Sequence, residues 1–171
     1  SGSAIGDVLC TDKRIKAVSF TGSYAIGHSL YQKTAPQLTR THLEMGGKNP
    51  VIVAADADLD KAVSIVVRGG FGLTGQACTA TSRVIVERSI VAEFSKRLTH
   101  AAQAIVVGPG LADGVQMGPA VSASQRDTDL SYVEVASEEG ATVLAGGTAG
   151  EGNGYFVKPT VIGNVRPEMR I

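Results

Sequence analysis

The chain has 171 residues, of which 43% are hydrophobic, and its 16 basic and 16 acidic residues give a formal net charge of zero. This length indicates one domain with enough apolar residues for a core, and the balanced charge argues against a nucleic-acid or anionic-membrane surface. No apolar run reaches the roughly 18 residues of a membrane span, and the absence of a signal-peptide pattern favours a cytoplasmic protein. Two cysteines and three scattered histidines predict neither a disulfide framework nor a metal site.

The predicted elements of the first half alternate between strands and helices. In chain order they are a strand over 15–20, a helix over 23–34 that Pro36 stops, a short strand over 39–43, a strand over 50–54 and a helix from Asp56 to about Arg68. The apolar run 50–54 is typical of a strand that is buried on both faces. Four glycines within 69–75 interrupt the helix and indicate tight packing or a close backbone approach.

The second half continues the same alternation. It carries a strand over 82–87, a helix over 90–106, a helix over 122–139, a strand over 141–144 and a last strand over 155–162. The helix over 90–106 has one apolar face, formed by Val91, Phe94, Leu98, Ala101 and Ile105. The alternation predicts an α/β fold with mainly parallel strands. The chain opens on Ser1 rather than Met and stops at Ile171 without a polar tail, so we expect a fragment of a longer protein.

Cys78 stands in the segment TGQACTATSR, residues 74–83, among small and polar neighbours. A cysteine is most often a small buried hydrophobe, and Cys10, which follows two apolar residues on a predicted helix face, has that pattern. The neighbours of Cys78 instead leave space around its thiol. A turn beside a helix or strand end also offers backbone N–H groups that activate a thiol and bind an oxyanion.

Two further segments are candidates for chemistry. Glu44 stands in LEMGGKNP, residues 43–50, at a predicted strand end, and it is either a surface ion pair, for instance with Lys48, or a general base at the carboxyl edge of the sheet. The segment FTGSYAIG, residues 20–27, joins a strand to a helix N-terminus. Such a turn is an anion site or an ordinary turn in which Thr21 or Ser23 caps the helix.

Together these segments resemble the aldehyde dehydrogenase superfamily. LEMGGKNP is similar to the family's glutamate signature, FGLTGQACTATSR to its cysteine signature and FTGSYAIG to its cofactor-binding turn. The residues at 56–60, 117–119 and 154–160 match other recurring stretches of the family, so the resemblance covers essentially the whole chain. Within the family, the combination looks most like the bacterial α-ketoglutaric semialdehyde dehydrogenases, with succinate semialdehyde dehydrogenase as the close relative to exclude.

The resemblance implies an aldehyde dehydrogenase-like fold of two incomplete parts. Residues 1–46 would end a Rossmann-type NAD(P)-binding domain, and residues 47–171 would begin the α/β catalytic domain. Residues 1–6 would form a loop on the adenosine side of the cofactor. The family's second oxyanion donor and its contacts to the nicotinamide ribose would lie outside these residues. We therefore expect the chain alone to be inactive and unstable, because its sheet edges would be exposed.

The resemblance also assigns roles to single residues. Cys78 would be the nucleophile and Glu44 the general base. Gly22 and Ser23 would lie against the pyrophosphate of NAD or NADP, Gly27 would allow close helix packing, and Met45 would meet the nicotinamide through its backbone.

The implied reaction oxidises a small-molecule aldehyde to the acid through a thiohemiacetal and a thioester. A glutamate at position 44 favours hydrolysis of the thioester over its transfer to coenzyme A. The implied partners include neither nucleic acid nor membrane, and the parent would be a homodimer or homotetramer. The alternative classes are an acyl-CoA-forming relative and a non-catalytic binding or structural protein on the same scaffold.

Overall fold

The computed structural model describes residues 2–171, without the side chain of Ser3. Two units divide the chain, Ser1–Gly47 and Lys48–Ile171. The sequence predicted a boundary between residues 46 and 47, and the identity of the two parts as cofactor and catalytic domains stays a prediction.

Unit 1 is a β-α-β arrangement preceded by a helix. Its elements are α1 (Gly2–Thr11), β1 (Ala17–Gly22), α2 (Tyr24–Thr34), a 3₁₀ turn (Ala35–Gln37) and β2 (Arg40–Met45). The two strands pair in parallel, and α2 packs on both of them and against α1. The carboxyl ends of β1 and β2 therefore lie at the same edge of the pair.

Residues 2–6 belong to α1, so the predicted loop over 1–6 is wrong, although Ser1 lies outside the described residues. The glycines that indicated a loop each cost a helix only about 1 kcal/mol, and packing against α2 outweighs that cost. Cys10 is 2% exposed, which confirms its predicted place on a buried helix face. An ion pair between Asp7 and Lys33 and a 2.7 Å hydrogen bond from Gln37 Nε2 to the Thr11 carbonyl also hold α1 in place.

Unit 2 begins with a second β-α-β arrangement. Its elements are β3 (Asn49–Val53), α3 (Leu59–Phe71), a 3₁₀ turn (Gly72–Gly75), β4 (Thr81–Val86), α4 (Val91–Gln103), α5 (Ala123–Glu138), β5 (Thr142–Ala145) and β6 (Val161–Gly163). β3 and β4 pair in parallel, whereas β5 and β6 pair antiparallel. The core joins β3, α3 and α4 through Val53, Val63, Val66, Phe94 and Leu98. The predicted α/β class is confirmed, and no helix within residues 2–171 is long and apolar enough to cross a bilayer.

Helix α3 continues through two of the glycines that the sequence treated as its end. It begins after Asp58, whose carboxylate accepts from the N–H groups of Asp60 and Lys61, and it runs to Phe71. A Cβ atom on Gly69 would lie 2.6 Å from Thr81 Oγ1, so glycine at this position lets α3 approach the start of β4. The predicted close approach is confirmed, but the interruption of the helix falls at Gly72.

Strand β3 is buried on one face only, which corrects the prediction that both faces are covered. Val53 lies in the core, whereas Ile52 is 75% exposed and stands opposite the exposed Ile85 in the parallel register. The cause is the period of two along a strand. Helices α3 and α4 cover the face that carries Val53, and alternate residues face away from that core.

Two other predicted elements are too long. Helix α4 ends at Gln103 rather than at residue 106, because Val106 and its neighbours bond to a second segment, with Gln116 N donating to the Val106 carbonyl at 2.9 Å. The last predicted strand, 155–162, pairs with β5 only over Val161–Gly163. Pro159 lacks the N–H that a regular ladder requires.

Candidate active site

The candidate residues lie at strand ends, one group of them in each unit. In unit 1, Thr21 stands opposite Glu44 and Gly22 stands opposite Met45, at the carboxyl edge of the β1–β2 pair. Ser23 follows directly after β1. The structure therefore brings the glycine turn, the carboxylate and the methionine together, at the edge where parallel α/β sheets place their ligands.

The turn from β1 to α2 has the geometry of a helix cap. Ser23 is the N-cap residue, and its Oγ accepts from the Ile26 N–H at 3.4 Å. The capping role that the sequence left open is therefore present. The remaining N–H groups of the first helical turn have no partner within a helix, and they are suited to bind an anion.

Gly22 and Gly27 leave room for larger side chains of unit 1. The ring of Phe20 lies where a Cβ atom on Gly22 would stand. A Cβ atom on Gly27 would lie 2.7 Å from Met45 Sδ, so Gly27 lets α2 pack closely on β2. This packing fixes the side chain of Met45 against the helix.

Glu44 is accessible to solvent, with 59% of its side chain exposed. Its Oε1 lies 3.2 Å from Nε2 of His42, which is 68% exposed. Sequence reasoning missed His42, although residues two apart in a strand share a face. An exposed pair of this kind contributes little to stability, and it leaves the carboxylate open to water, as a general base requires.

Cys78 occupies a tight turn at the amino end of β4. The Ala80 N–H donates to the Ala77 carbonyl at 3.0 Å and closes the turn. The thiol is free and exposed. Among residues 2–171, no hydrogen bond takes up the Cys78 N–H. The same residue therefore presents an accessible thiol and a backbone donor without a partner among these residues.

Asn49 holds this turn from the first residue of β3. Its Nδ2 donates to the Cys78 carbonyl at 2.7 Å and to the Ala80 carbonyl at 3.1 Å. Sequence reasoning missed Asn49. The only available signal was an Asn-Pro pair at a strand start, which marks a turn or boundary but does not name a partner 29 residues further along the chain.

The segment before Cys78 adopts a rare backbone conformation. Leu73, Thr74 and Gly75 have φ values of 51°, 58° and 67°, all in the left-handed region. For a residue other than glycine this region costs about 1–2 kcal/mol. Gln76 anchors the segment, because its Oε1 accepts from Val121 N at 2.8 Å and its Nε2 donates to the Pro119 carbonyl at 3.3 Å. Strain of this kind clusters at functional sites.

Replacing Gly75 by Ala is expected to lower the free energy of unfolding by about 1–3 kcal/mol. The new Cβ atom would lie 2.9 Å from the Gly70 carbonyl oxygen at a φ of +67°. Gly72→Ala is the matched control, since Gly72 has a φ of −57° and no atom within 4 Å of a Cβ atom, and its effect is expected to stay within about 1 kcal/mol. Urea denaturation of both variants of the whole protein measures their free energies of unfolding, and equal values would contradict this expectation.

Among the candidate segments, the start of α2 has the free backbone N–H groups that suit an anion. Within residues 2–171, no three His, Cys, Asp or Glu side chains come together in a group that could hold a metal ion.

Comparison with known proteins gives one family. A model described as the aldehyde dehydrogenase family matches residues 1–171. A 2,5-dioxopentanoate dehydrogenase from Saccharolobus solfataricus is 44% identical over 172 residues, which are 99% of this chain and 36% of that protein. An α-ketoglutaric semialdehyde dehydrogenase from Bacillus subtilis is 45% identical over 174 residues, with the same coverage of 99% and 36%.

Solved structures agree with the sequence comparison. The crystal structure of betaine aldehyde dehydrogenase from Staphylococcus aureus in complex with NAD⁺ superposes with a TM-score of 0.94 at 38% identity. The match covers 99% of this chain and 35% of that one. The chain thus spans about a third of the length of the relatives that it matches.

Proposed function

We propose that this chain, which belongs to the aldehyde dehydrogenase family, supplies the nucleophile, the general base and part of the cofactor site of an NAD(P)-dependent enzyme. The whole protein would oxidise an aldehyde to the carboxylic acid. The observation that carries the proposal is the exposed Cys78 thiol in a turn that leaves its own N–H unused. A non-catalytic binding or structural protein on this scaffold would have no chemical reason to keep both the Cys78 thiol and the Glu44 carboxylate.

Cys78 performs the first step. The thiol first loses its proton to solvent, and the thiolate sulfur then attacks the aldehyde carbon and forms a C–S bond, while the electron pair of the C=O bond moves to the oxygen. The oxygen then carries negative charge, and the Cys78 N–H is placed on the same residue to donate to it. A bound nicotinamide supplies the hydride acceptor that the oxidation requires. The C–H bond of the former aldehyde would break as its hydride passes to that acceptor, the C=O bond would form again, and the acyl group would be held on Cys78 as a thioester.

The start of α2 is the proposed holder of the cofactor pyrophosphate. Gly22 and Ser23 give the strand-to-helix turn, Gly27 allows α2 to lie close to β2, and Met45 ends β2 beside Gly22. The NAD⁺ in the Staphylococcus aureus structure supports a dinucleotide for this chain. We propose NAD⁺ or NADP⁺, because the two differ only at the 2′ position of the adenosine ribose, and the residues named here are proposed for the pyrophosphate and the nicotinamide.

Glu44 is the proposed base for the last step. Its exposed carboxylate would take a proton from water, whose oxygen attacks the thioester carbon and releases the acid and the Cys78 sulfur. The imidazole Nε2 of His42 lies 3.2 Å from the Glu44 Oε1, and this exposed contact leaves the carboxylate open to water. Transfer to coenzyme A would need no such base, so Glu44 favours hydrolysis.

The proposed substrate is α-ketoglutaric semialdehyde. Two relatives at 44% and 45% identity carry the names 2,5-dioxopentanoate dehydrogenase and α-ketoglutaric semialdehyde dehydrogenase. Betaine aldehyde is the second candidate, because a betaine aldehyde dehydrogenase from Rhizobium etli is 40% identical over 169 residues.

A substrate panel tests the proposal. The whole protein is expected to reduce NAD⁺ or NADP⁺ with α-ketoglutaric semialdehyde at a kcat/KM at least about tenfold above those for succinate semialdehyde and betaine aldehyde. The formation of reduced cofactor is followed by absorbance, with and without coenzyme A. Cofactor reduction with betaine aldehyde alone would make betaine aldehyde the substrate. A requirement for coenzyme A would show that the acyl group is transferred to coenzyme A rather than hydrolysed. Absence of reduction with every aldehyde would favour a binding or structural protein.

A further inference from the structure

We propose that Asn49 is a positioning residue that orients the Cys78 turn for attack, a role that rests on the proposed function. The two hydrogens of its Nδ2 are shared between the carbonyls of Cys78 and Ala80, at 2.7 Å and 3.1 Å. One amide group therefore holds the Cys78–Thr79 peptide plane inside the turn and the Ala80–Thr81 plane through which the chain leaves it. The Ala80 to Ala77 hydrogen bond fixes the remaining side.

The strand start explains why a side chain, rather than the backbone, provides these donors. Asn49 stands opposite Thr81, and the register of β3 and β4 shifts between Asn49 and Pro50. Pro50 has no N–H to donate. The regular ladder is therefore interrupted where the chain leaves the Cys78 turn, and the Asn49 amide supplies donors there.

Asn49 is itself held on a fixed element. It is the first residue of β3, and Arg83 of β4 donates from Nε to the carbonyl of Lys48 at 2.9 Å. The hydrogen bond to Lys48 before Asn49 and the pairing of Pro50 with Arg83 after it thus hold Asn49 on the β3–β4 pair. A site supported from strands is more precise than one supported from loops alone.

Catalysis depends on the directions in which the Cys78 sulfur and the Cys78 N–H point. The Cys78 carbonyl belongs to the peptide plane that follows the Cys78 Cα atom, and the unused Cys78 N–H belongs to the plane before it. Release of the carbonyl would let the turn rotate, and both the sulfur and the N–H would leave the positions that a reacting aldehyde needs. Misplacement of reacting groups by about 1 Å costs on the order of 100-fold in rate.

The test uses three variants of the whole protein. Asn49→Asp keeps the shape of the side chain but replaces both N–H donors by an acceptor, whereas Asn49→Gln keeps the donors on a longer stem. Asn164→Asp is the matched control, because Asn164 Nδ2 donates at 3.1 Å to Thr142 Oγ1 on β5, which the proposed chemistry does not use. Steady-state kinetics and the thermal midpoint are measured for each variant.

Asn49→Asp is expected to lower kcat by about 10- to 100-fold while KM for the aldehyde changes by less than about threefold. Asn49→Gln is expected to recover part of the loss, and Asn164→Asp is expected to match the wild type. A kcat for Asn49→Asp within about twofold of the control, or a loss fully accounted for by the fraction of unfolded protein, would overturn the proposal.

A second readout does not depend on aldehyde oxidation. The alkylation rate of Cys78 by iodoacetamide at neutral pH is expected to fall by about tenfold in Asn49→Asp and to stay unchanged in Asn164→Asp. A wild type that oxidises no aldehyde would refute the proposed function. Equal alkylation rates in the two variants would refute the role of Asn49, whatever the wild type does.

Discussion

Replacing Cys78 by Ser in the whole protein is expected to lower the rate of aldehyde oxidation by on the order of 10³-fold or more. The substitution exchanges one atom and keeps the turn, because the hydrogen bonds that close it involve backbone and Asn49 atoms only. A serine hydroxyl is a far weaker nucleophile than a thiol without an adjacent base. The formation of reduced cofactor with a saturating aldehyde checks this expectation.

Cys10→Ser is the control, since it makes the same exchange at the other cysteine of the chain. Cys10 is buried in α1, so the added hydroxyl is expected to lower stability by about 1 kcal/mol and to leave kcat unchanged. Iodoacetamide is expected to label Cys78 and not Cys10 in the folded protein, because only the former is exposed. Full activity of Cys78→Ser would remove Cys78 from the mechanism.

Glu44→Gln is expected to separate the two halves of the reaction. The first turnover should still produce one equivalent of reduced cofactor, because thioester formation does not use the carboxylate. The steady-state rate should fall by on the order of 10²- to 10⁴-fold, since an amide does not take a proton from water. Rapid-mixing absorbance measures both phases, and intact-protein mass spectrometry detects the accumulated acyl group on Cys78.

The matched control for this variant is Glu134→Gln, which neutralises an exposed carboxylate on α5. It is expected to keep both the first turnover and the steady-state rate. Loss of the first turnover in Glu44→Gln would show that the carboxylate acts before the thioester forms. Unchanged steady-state turnover would leave the base unassigned.

Local chemistry made part of the candidate site predictable. Gly22 ends β1, Ser23 precedes α2, and Glu44 lies one residue before the end of the neighbouring strand β2, so their common edge follows from parallel pairing. Cys78 was predicted from the small residues around it. Both predictions need only short-range patterns, and the structure places these residues at strand ends as the patterns indicate.

The features that escaped prediction depend on tertiary contacts. The pairing of Asn49 with Cys78 joins residues 29 positions apart, and no local pattern specifies it. Leu73 and Thr74 are unusual in the left-handed region, and they adopt it in a segment that Gln76 anchors to the Pro119 carbonyl and the Val121 N–H. The outward face of Ile52 could not be read from an apolar run, since the number of covered faces is a property of the whole sheet.

The exposure of Cys78 has a consequence for redox chemistry. Peroxide converts an accessible reactive thiol to a sulfenic acid, which a second thiol can rescue as a disulfide before further oxidation becomes irreversible. Within this chain the only other cysteine is Cys10, and its burial in α1 keeps it from that role. A resolving thiol must therefore come from outside these 171 residues, and without one the sulfur of Cys78 is open to permanent oxidative loss.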